Sequence, residues 1–328
     1  MMALAMFLAV LLAISTASAR VVPTTDIIVY VDPAGSDTTG DGSAAHPWAT
    51  PQHAADELYD DYDLGCKYKA TIQLAVAPPG SYNFYPGLNI SGRLIGQCGT
   101  LRPLTTSPSL PPFVVGKYLP FTLQGDTTGT NPLGAFINPG NGGRPGGACI
   151  SLSDGAALRV VGIACDTTSA GQDGFDIFNS FMDMSNVWFG NAGYPGTTYS
   201  NHVSVGFGGT LLITGPYGMS GSALAHINGA ANSTVDFENN GDPSAPITVT
   251  INGALSFPAG FVLMDTASVL YAQIVHFSIT GSVTGPTATV LRNAVVETGS
   301  GGTTAHSCNA NYFPGNAAPV IQDNAVCR

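Results

Sequence analysis

Four aspartates lie within a short stretch of the chain, at positions that could serve either chemistry or turn formation. They are Asp166, Asp173, Asp176 and Asp183. Cleavage of a glycosidic bond needs two carboxyl groups about 5–10 Å apart, one protonated and one ionised. Metal-assisted elimination would instead use such carboxylates to hold Ca²⁺. Turn formation is the plainer explanation, because Asp followed by Gly is a common turn pair, and the two interpretations stay open at this point.

Trp188 is the best candidate for contact with a ligand. If Val187 and Phe189 point inward, strand alternation places Trp188 on the outer face. Tyr194 and Tyr199 follow in a segment rich in Gly, Pro and Thr. Exposed aromatic rings can lie flat on the apolar face of a sugar, and exposed apolar patches usually mark contact sites. We therefore predict that Trp188, Tyr194 and Tyr199 bind carbohydrate; the alternative is that the loop buries these rings against the protein.

A glycine-rich loop near the amino terminus carries three more carboxylates, Asp32, Asp37 and Asp41. They could wrap one Ca²⁺, but their spacing does not match an EF-hand loop. Capping of nearby backbone N–H groups is the plainer role. We predict no cofactor, with Ca²⁺ as the alternative. The histidines are scattered and none lies in a catalytic motif; His226 and His276 are on predicted strands.

The elements that must position these residues begin with one short helix. Thr50 can serve as its N-cap and Pro51 as its first residue. Ala54, Ala55 and Leu58 would then form its apolar side. No stretch of helical periodicity and useful length follows, which disfavours a βαβ fold.

Short runs of alternating apolar residues make up most of the chain, and each ends in Gly, Asn, Asp or Pro. The predicted strands include Ile27–Val31, Thr71–Leu74, Phe121–Gly125, Cys149–Leu152, Leu158–Ile163, Asn186–Phe189, Thr210–Ile213, Ser233–Phe237, Ile247–Ile251 and Ser268–Tyr271. Asn-Gly and Asp-Gly turns end several runs, so a β-sandwich or jelly roll is the alternative to a solenoid.

The spacing of these runs favours the solenoid. Equating Leu158, Val187, Leu211, Val235 and Val269 gives spacings of about 29, 24, 24 and 34 residues. This imprecise repeat is typical of β-solenoid coils that carry loops. Because equivalent positions in stacked coils lie about 4.8 Å apart, Asp166 could face Asp176 or Asp183 across neighbouring coils.

The six cysteines predict three disulfides in an oxidising compartment. Pairing of sequence neighbours would join Cys66 to Cys98, Cys149 to Cys165 and Cys308 to Cys327, although six cysteines allow 15 connectivities. The second pair would close a loop about as long as one coil, which contributes on the order of 3 kcal/mol. No Cys-x-x-Cys spacing occurs, so a zinc site has no support.

The amino terminus and the charge balance indicate where the protein works. Residues 1–19 combine an apolar run with the cleavage pattern Ala17-Ser18-Ala19, as in a secretory signal; an uncleaved anchor is the alternative. The chain has 10 Lys and Arg against 21 Asp and Glu, a net charge of −11. Without a basic cluster, nucleic acid and anionic membranes are unsuitable partners. We expect a secreted protein, extracellular or periplasmic, with no membrane contact after signal cleavage.

The segments Tyr30–Asp37, Gly40–Gly42 and His46–Ala55 resemble the N-terminal capping region of right-handed parallel β-helix proteins of the pectin-lyase-like superfamily. These include polysaccharide lyases, epimerases, phage tailspikes and uncharacterised secreted proteins. The resemblance implies a strand and a short helix that cover the open end of the first coil, and it does not imply one activity. The chain departs from the family's hydrolases, because its only Asp-Asp is Asp60-Asp61 in the predicted helix and it has no Gly-His-Gly. A pectate-lyase-like site is also in doubt, because the coil region has few basic residues.

We therefore expect an all-β chain, a single-stranded right-handed parallel β-helix with a short N-terminal capping helix. Its parts would be a signal peptide (1–19), a strand and helix cap (20–65), the β-helix (66–300) and a disulfide-closed tail (301–328). The predicted function is polysaccharide binding, or service as an extracellular structural shaft. The alternatives are a polysaccharide lyase, epimerase or glycoside hydrolase, and a tailspike-like adhesin, for which a trimer would be the oligomeric state.

Overall fold

The computed structural model describes residues 20–64, 67–78, 83–91, 121–126, 135–137, 148–167, 171–192, 200–237, 246–272, 275–298, 308 and 313–327. These residues form one α-helix, α1 (Pro51–Asp61), and strands that pair in parallel in three sheets. The chain visits the three sheets in turn and then returns to the first. One such circuit is one coil, so the chain is a parallel β-helix, and the sandwich and jelly-roll alternatives are wrong.

Sheet I begins each coil. Its strands are β1 (Ile27–Val31), β2 (Ala70–Leu74), β5 (Phe121–Gln124), β8 (Ala157–Val161), β11 (Phe181–Ser185), β14 (Thr210–Ile213), β17 (Thr234–Phe237), β20 (Val269–Tyr271), β23 (Val295–Glu297) and β25 (Val326–Cys327).

Sheets II and III complete each coil. Sheet II contains β3 (Asn83–Tyr85), β6 (Ala135–Ile137), β9 (Ala164–Thr167), β12 (Trp188–Ala192), β15 (Tyr217–Met219), β18 (Ile247–Ser256) and β21 (Val275–Thr284). Sheet III contains β4 (Leu88–Ser91), β7 (Ile150–Ser153), β10 (Phe175–Phe178), β13 (Val203–Gly206), β16 (Ala225–Gly229), β19 (Gly260–Met264), β22 (Ala288–Val290) and β24 (Val320–Ile321).

Inward-facing aliphatic residues stack from coil to coil and form the core. On sheet I one fully buried ladder consists of Leu158, Met182, Leu211, Val235, Leu270 and Val296. Burial of each such side chain contributes about 1.5–3 kcal/mol. Two of the equivalences expected from the sequence were therefore wrong. Val187 lies in the turn between sheets I and II, and Val269 is one position before Leu270.

The corner between sheets III and I is built on left-handed backbone. In most coils two successive residues there have positive φ, including Phe207 and Gly208, Thr266 and Ala267, and Arg292 and Asn293. Their backbone groups bond from one coil to the next, for example Ala267 N–H to the Arg292 carbonyl. Gly and Asn recur at this corner, as at Gly208 and Asn293, because few other side chains tolerate this conformation.

The predicted cap has formed. Thr50 is the N-cap of α1, where its side chain accepts a hydrogen bond from the backbone N–H of His53. Pro51, Ala54, Ala55 and Leu58 are buried, and the helix packs against β1, β2 and β4. The end of the first coil is thereby covered, as the N-terminal segment predicted.

Two of the three predicted disulfides are present. Cys149 bonds to Cys165, with Cα atoms 6.0 Å apart, and Cys308 bonds to Cys327. Cys66 and Cys98 lie outside the described residues, as does the predicted signal segment 1–19. No helix within the described ranges has the length and apolar character needed to cross a membrane.

A polar chain of three rings crosses the otherwise apolar core. Tyr217 Oη lies 2.8 Å from His226 Nε2, and His226 Nδ1 lies 3.0 Å from His202 Nδ1. Aromatic side chains surround the two imidazoles; the ring of Phe189 stacks on His202 at 5.3 Å and that of Phe261 lies 4.8 Å from His226. Burial lowers the pKa of His202 to about 3, and burial also lowers the pKa of His226 well below its ordinary value, so both rings are neutral at physiological pH.

Candidate functional site

Trp188 lies on the outer face of sheet II, as strand alternation predicted. Its neighbours Val187 and Phe189 are buried in the core, and its own side chain is half-buried. The indole ring covers Gly218 on the next strand, where any side chain would overlap the ring. Nε1 donates a hydrogen bond of 3.0 Å to Ser220 Oγ. Gly218 and Ser220 therefore fix the ring in one orientation.

A second aromatic residue lies in the same outward row of sheet II. The register runs from Phe84 through Phe136 and Ala164 to Trp188, so Phe84 is three strands from Trp188, or about 14 Å at 4.8 Å per strand. The side chain of Phe84 is 58% exposed. Phe84 was not predicted from the sequence, because the loop lengths that bring it into this row have no sequence signature.

Asp166 lies on the same outer face, opposite a β-bulge. The pairing of β9 with β12 shifts register between Phe189 and Ala192, and the Asp166 carboxyl lies against Gly190 inside the bulge. The backbone N–H of Asn191 donates to the carboxyl. Oδ1 is buried and has no hydrogen-bond partner. Burial raises the pKa of Asp166, and the Asn191 hydrogen bond opposes that rise.

Polar groups continue the outer face beyond Trp188. Ser220 follows β15, and Asn252 lies on the adjacent strand β18. Thr280 on β21 donates a hydrogen bond of 2.6 Å to Asn252 Oδ1. We call the outward residues Phe84, Asp166, Trp188, Ser220 and Asn252 the sheet II face. It presents two aromatic rings, one carboxyl with a raised pKa, one hydroxyl and one amide.

Asp173 and Asp176 are the two predicted catalytic aspartates that contact each other. Asp173 precedes β10, and Asp176 faces outward on β10 between Ser151 and Ser204. Their carboxyls share a hydrogen bond. Burial raises the pKa of Asp173 to about 6, and burial together with the Asp173 charge raises the pKa of Asp176 well above its ordinary range. The direct contact is closer than the separation of about 5 Å or more that glycoside cleavage uses.

Asp183 faces outward on sheet I, where two partners hold it. Thr214 Oγ1 donates a 2.5 Å hydrogen bond to Asp183 Oδ1, and Arg159 Nε lies 3.6 Å from Oδ2. Burial raises the pKa of Asp183, while Thr214 and Arg159 oppose the rise. Asp166, Asp176 and Asp183 therefore lie on sheets II, III and I respectively. The expected stacking of Asp166 on Asp176 or Asp183 was wrong, because a coil turns through all three sheets between these positions.

The three aspartates of the amino-terminal loop each bond to nearby backbone. Asp32 accepts from Ala34 N–H, and Asp41 accepts from Ser43 N–H. Asp37 accepts from the N–H groups of Ala49 and Thr50 and from the Thr50 hydroxyl. Partial burial raises its pKa, but these hydrogen bonds outweigh that effect and lower the pKa overall. Within the described part of the chain, no three His, Cys, Asp or Glu side chains lie close enough to hold one metal ion. Asp32, Asp37 and Asp41 therefore bond to backbone, the plainer of the two roles considered for them, and do not form the Ca²⁺ loop that was the alternative.

Two other findings concern the aromatic residues. Tyr194 and Tyr199, predicted to bind carbohydrate with Trp188, lie outside the described residues. Phe207 was not predicted; it is 71% exposed at the corner between sheets III and I, and its ring lies 5.9 Å from that of Phe178. Its signal in the sequence was the Phe-Gly-Gly step after a strand, where a polar turn residue is usual.

The fold and the sheet II face together define a parallel β-helix protein with an aromatic and polar surface on one sheet. The chain matches no family model, no curated protein and no solved structure.

Proposed function

We propose that this protein is an extracellular β-helix that binds polysaccharide along the sheet II face. The observation that carries the proposal is the fixed, half-exposed Trp188 ring, which lies on Gly218 and bonds to Ser220. Tryptophan combines a large apolar surface with a polar N–H group. A ring held in one orientation loses little conformational entropy when a ligand binds it.

The repeat of the fold suits a polymer as the ligand. Sheet II presents Phe84, Trp188 and Asn252 on strands β3, β12 and β18, so potential contacts extend over several strand spacings of about 4.8 Å each. A small molecule would occupy only part of this face. Hydroxyl and amide groups at Ser220 and Asn252 can exchange hydrogen bonds with sugar hydroxyls.

The charges favour a neutral polysaccharide over an anionic one. The seven strands of sheet II contain no Lys or Arg, and the chain carries a net charge of −11. Polymers of uronic acids carry a carboxylate on each sugar and would need basic partners on this face. Neutral glucans, mannans or xylans would pay no such electrostatic cost.

Affinity electrophoresis or a polysaccharide column tests the proposal. The wild type should be retained on a neutral polymer and much less on pectin or alginate, and Trp188→Ala should abolish the retention. Phe84→Ala should weaken it. Phe207→Ala, which removes an exposed ring from the opposite corner, is the matched control and should be retained like the wild type. Equal retention of wild type and Trp188→Ala would refute binding at this face.

An enzyme is the second candidate function, and the position of Asp166 favours it. The carboxyl has a raised pKa, a buried oxygen without a partner and a place beside Trp188 on the sheet II face. A carboxyl whose pKa is raised is suited to serve as a general acid toward a glycosidic oxygen. Release of reducing or unsaturated ends from a polymer retained by the protein, with loss of that release in Asp166→Asn, would establish catalysis. Retention without any product would leave binding as the function.

Membership of the pectin-lyase-like superfamily and secretion form part of the same proposal. The strand and helix cap supports the first, because the resembling segments Tyr30–Asp37 and His46–Ala55 lie in it. The disulfides Cys149–Cys165 and Cys308–Cys327 support the second, since such bonds persist in oxidising compartments. Sedimentation tests the tailspike-like alternative: a particle of three chains would favour it, and a monomer would exclude it.

A further inference from the structure

Three buried side chains with oxygen atoms meet where sheet II passes into sheet III. Asp176 is 8% exposed and Asn201 is 3% exposed; Asp173 is also mostly buried. Asp173 accepts hydrogen bonds from the Asn201 backbone N–H and from the Asn201 side chain, and it shares a hydrogen bond with Asp176. We call Asp173, Asp176 and Asn201 the corner cluster.

No basic side chain offsets the two carboxyls in the described part of the chain. The described bases are Arg20, Lys67 and Lys69 near the cap, Arg159 and Arg292. Arg159 pairs with Asp183 on sheet I, and Arg292 pairs with Asp265 at the corner between sheets III and I. The adjacent imidazole of His202 is neutral and bonds to His226. Two buried carboxyls without a cation are costly, because burial strongly disfavours an uncompensated charge.

A shared proton compensates the cluster only in part. The shared proton neutralises one of the two carboxyls and occupies one oxygen of Asp176. The other oxygen, Asp176 Oδ1, is buried and has no hydrogen-bond partner. Asn201 Oδ1 is also buried without a partner. Buried acceptors in native proteins are nearly always satisfied, by protein, water or ion. A positively charged ligand would satisfy both oxygens and offset the charge of the two carboxyls.

We propose that the corner cluster binds one Ca²⁺ ion. The donors that it offers are carboxylate and amide oxygens, which Ca²⁺ prefers, and it contains no thiolate or free imidazole for zinc or copper. Water and backbone carbonyls would complete the six to eight ligands that Ca²⁺ takes. Mg²⁺ requires a tighter octahedral shell and sheds its water reluctantly, so it should bind more weakly.

The ion would join two coils. Asp173 and Asp176 belong to the coil of β8, β9 and β10, and Asn201 belongs to the coil of β11, β12 and β13. The connection between β12 and β13 carries Asn201, and β12 itself carries Trp188 on the sheet II face. Calcium at the corner cluster would therefore stabilise the coils that present this face without being part of the binding surface.

Calcium titration of the full chain tests the proposal. Protein stripped with EDTA should bind CaCl₂ with one ion per chain by calorimetry, and its Tm should rise by about 5 °C at a 100-fold excess over Kd. Asp176→Asn should lose the heat of binding and the rise in Tm. Asp154→Asn is the matched control, because Asp154 lies on the same coil in an exposed turn, and it should respond like the wild type.

Absence of binding heat and of any rise in Tm in the wild type would overturn the proposal. So would an Asp176→Asn variant that responds to calcium like the wild type. Asp176→Asn should fold in EDTA, because the amide removes a buried carboxyl that otherwise needs a proton. If it does not fold, Asn201→Asp provides the second test. Its added carboxylate should tighten Ca²⁺ binding at least 10-fold and lower the Tm in EDTA, and weaker or unchanged binding would contradict the site.

Discussion

His202 Nδ1 and His226 Nδ1 lie 3.0 Å apart in the core, so one ring donates a hydrogen and the other accepts it. His226 Nε2 is bonded to Tyr217 Oη at 2.8 Å, and His202 Nε2 is buried near the Gly190 carbonyl without a hydrogen bond of normal geometry. An extra proton on the accepting Nδ1 would remove the acceptor between the two rings, and an extra proton on either ring would place a charge among aromatic side chains. Burial accordingly lowers the pKa of both histidines.

The first prediction concerns stability in acid. An unfolded histidine binds a proton below about pH 6.5, whereas folded His226 stays neutral because its pKa is lowered. The unfolded state therefore binds more protons, and the free energy of unfolding should fall as the pH drops below 6.5, by about 1.4 kcal/mol per pH unit for this one group. Urea unfolding at pH 5, 6 and 7 measures the slope.

His226→Phe separates this effect from that of the carboxylates. On unfolding between pH 5 and 6, the variant should take up about one proton fewer than the wild type. Its free energy of unfolding should therefore depend less steeply on pH. At pH 7 it should be less stable by about 1–3 kcal/mol, because Tyr217 Oη and His202 Nδ1 lose a partner. The same slope in both proteins would show that His226 is protonated in the folded state.

The second prediction uses the contact between Trp188 and Gly218. Gly218→Ala places a methyl group where the indole ring lies, so the ring must rotate away and its bond to Ser220 must break. Retention on a neutral polysaccharide should fall about 10-fold, since a lost contact of about 1.4 kcal/mol has that effect. The Tm should change little, because a partly exposed side chain can move.

Thr250→Ala is the control for Gly218→Ala, because Thr250 pairs with Gly218 on the next strand. It removes a side chain from the same row without displacing the indole ring, so it should retain more than half of the wild-type affinity. A Gly218→Ala variant with full affinity would show that the orientation of Trp188 does not determine binding.

The third prediction assigns Asp183 to stability. Thr214→Val removes the hydroxyl that donates to the buried Asp183 Oδ1. The loss should cost about 1–3 kcal/mol, as for other buried acceptors left without a donor, while polysaccharide retention should not change. Thr210→Val is the control for the added methyl group, because Thr210 lies on the outer face of β14, the strand that Thr214 follows. A drop in retention with Thr214→Val would instead connect sheet I with the ligand.

The sequence located several of the strands, but it did not show how they group into sheets. Alternating apolar residues located β14 at Thr210–Ile213 and the inward pair Val187 and Phe189, because period-2 burial is a local property. The sheet to which each aspartate belongs depends on loop lengths, which differ from coil to coil. The alignment of Val187 with Leu158 failed for this reason, and so did the stacking of Asp166 on Asp176.

The contacts of the corner cluster were likewise beyond the sequence. Asp173 and Asp176 are three residues apart, so their proximity could be expected, but Asn201 is 28 residues from Asp173 and comes from the next coil. The burial of His226 and His202 also depends on the neighbouring coils, since an isolated strand with histidine is equally compatible with exposure. Local sequence patterns predict individual strands, whereas contacts between coils can be predicted only when the pairing register of the strands is known.

The fourth prediction concerns the disulfide Cys149–Cys165. It closes a loop with a sequence separation of 16, and loss of such a crosslink should cost about 3 kcal/mol through the entropy of the unfolded chain. The double variant Cys149→Ala/Cys165→Ala should unfold at lower urea concentration than the wild type. Dithiothreitol should lower the urea concentration at which the wild type unfolds, toward that of the variant. The same treatment should have a smaller effect on the variant, in which only Cys308–Cys327 remains to be reduced.

The fifth prediction tests the left-handed corner between sheets III and I. Gly208 has a φ of +79° and open space around the position of a Cβ, so Gly208→Ala changes only the conformational energy. It should destabilise the protein by about 1–2 kcal/mol, the cost of the left-handed region for an L-residue.

Ala267→Gly is the reverse change two coils along the same corner. Ala267 has a φ of +58°, so it already has the unfavourable conformational energy of an L-residue in the left-handed region. Glycine would remove that energy. The added freedom of glycine in the unfolded chain offsets about 0.5–1 kcal/mol of that gain, so the net stabilisation should be below 1 kcal/mol. If Gly208→Ala lowers the free energy of unfolding and Ala267→Gly raises it, backbone conformation is the property that determines stability at this corner. If neither substitution changes the free energy of unfolding, backbone conformation does not limit stability at this corner. The hydrogen bonds between successive coils, such as Ala267 N–H to the Arg292 carbonyl, would then hold the corner whichever side chain it carries.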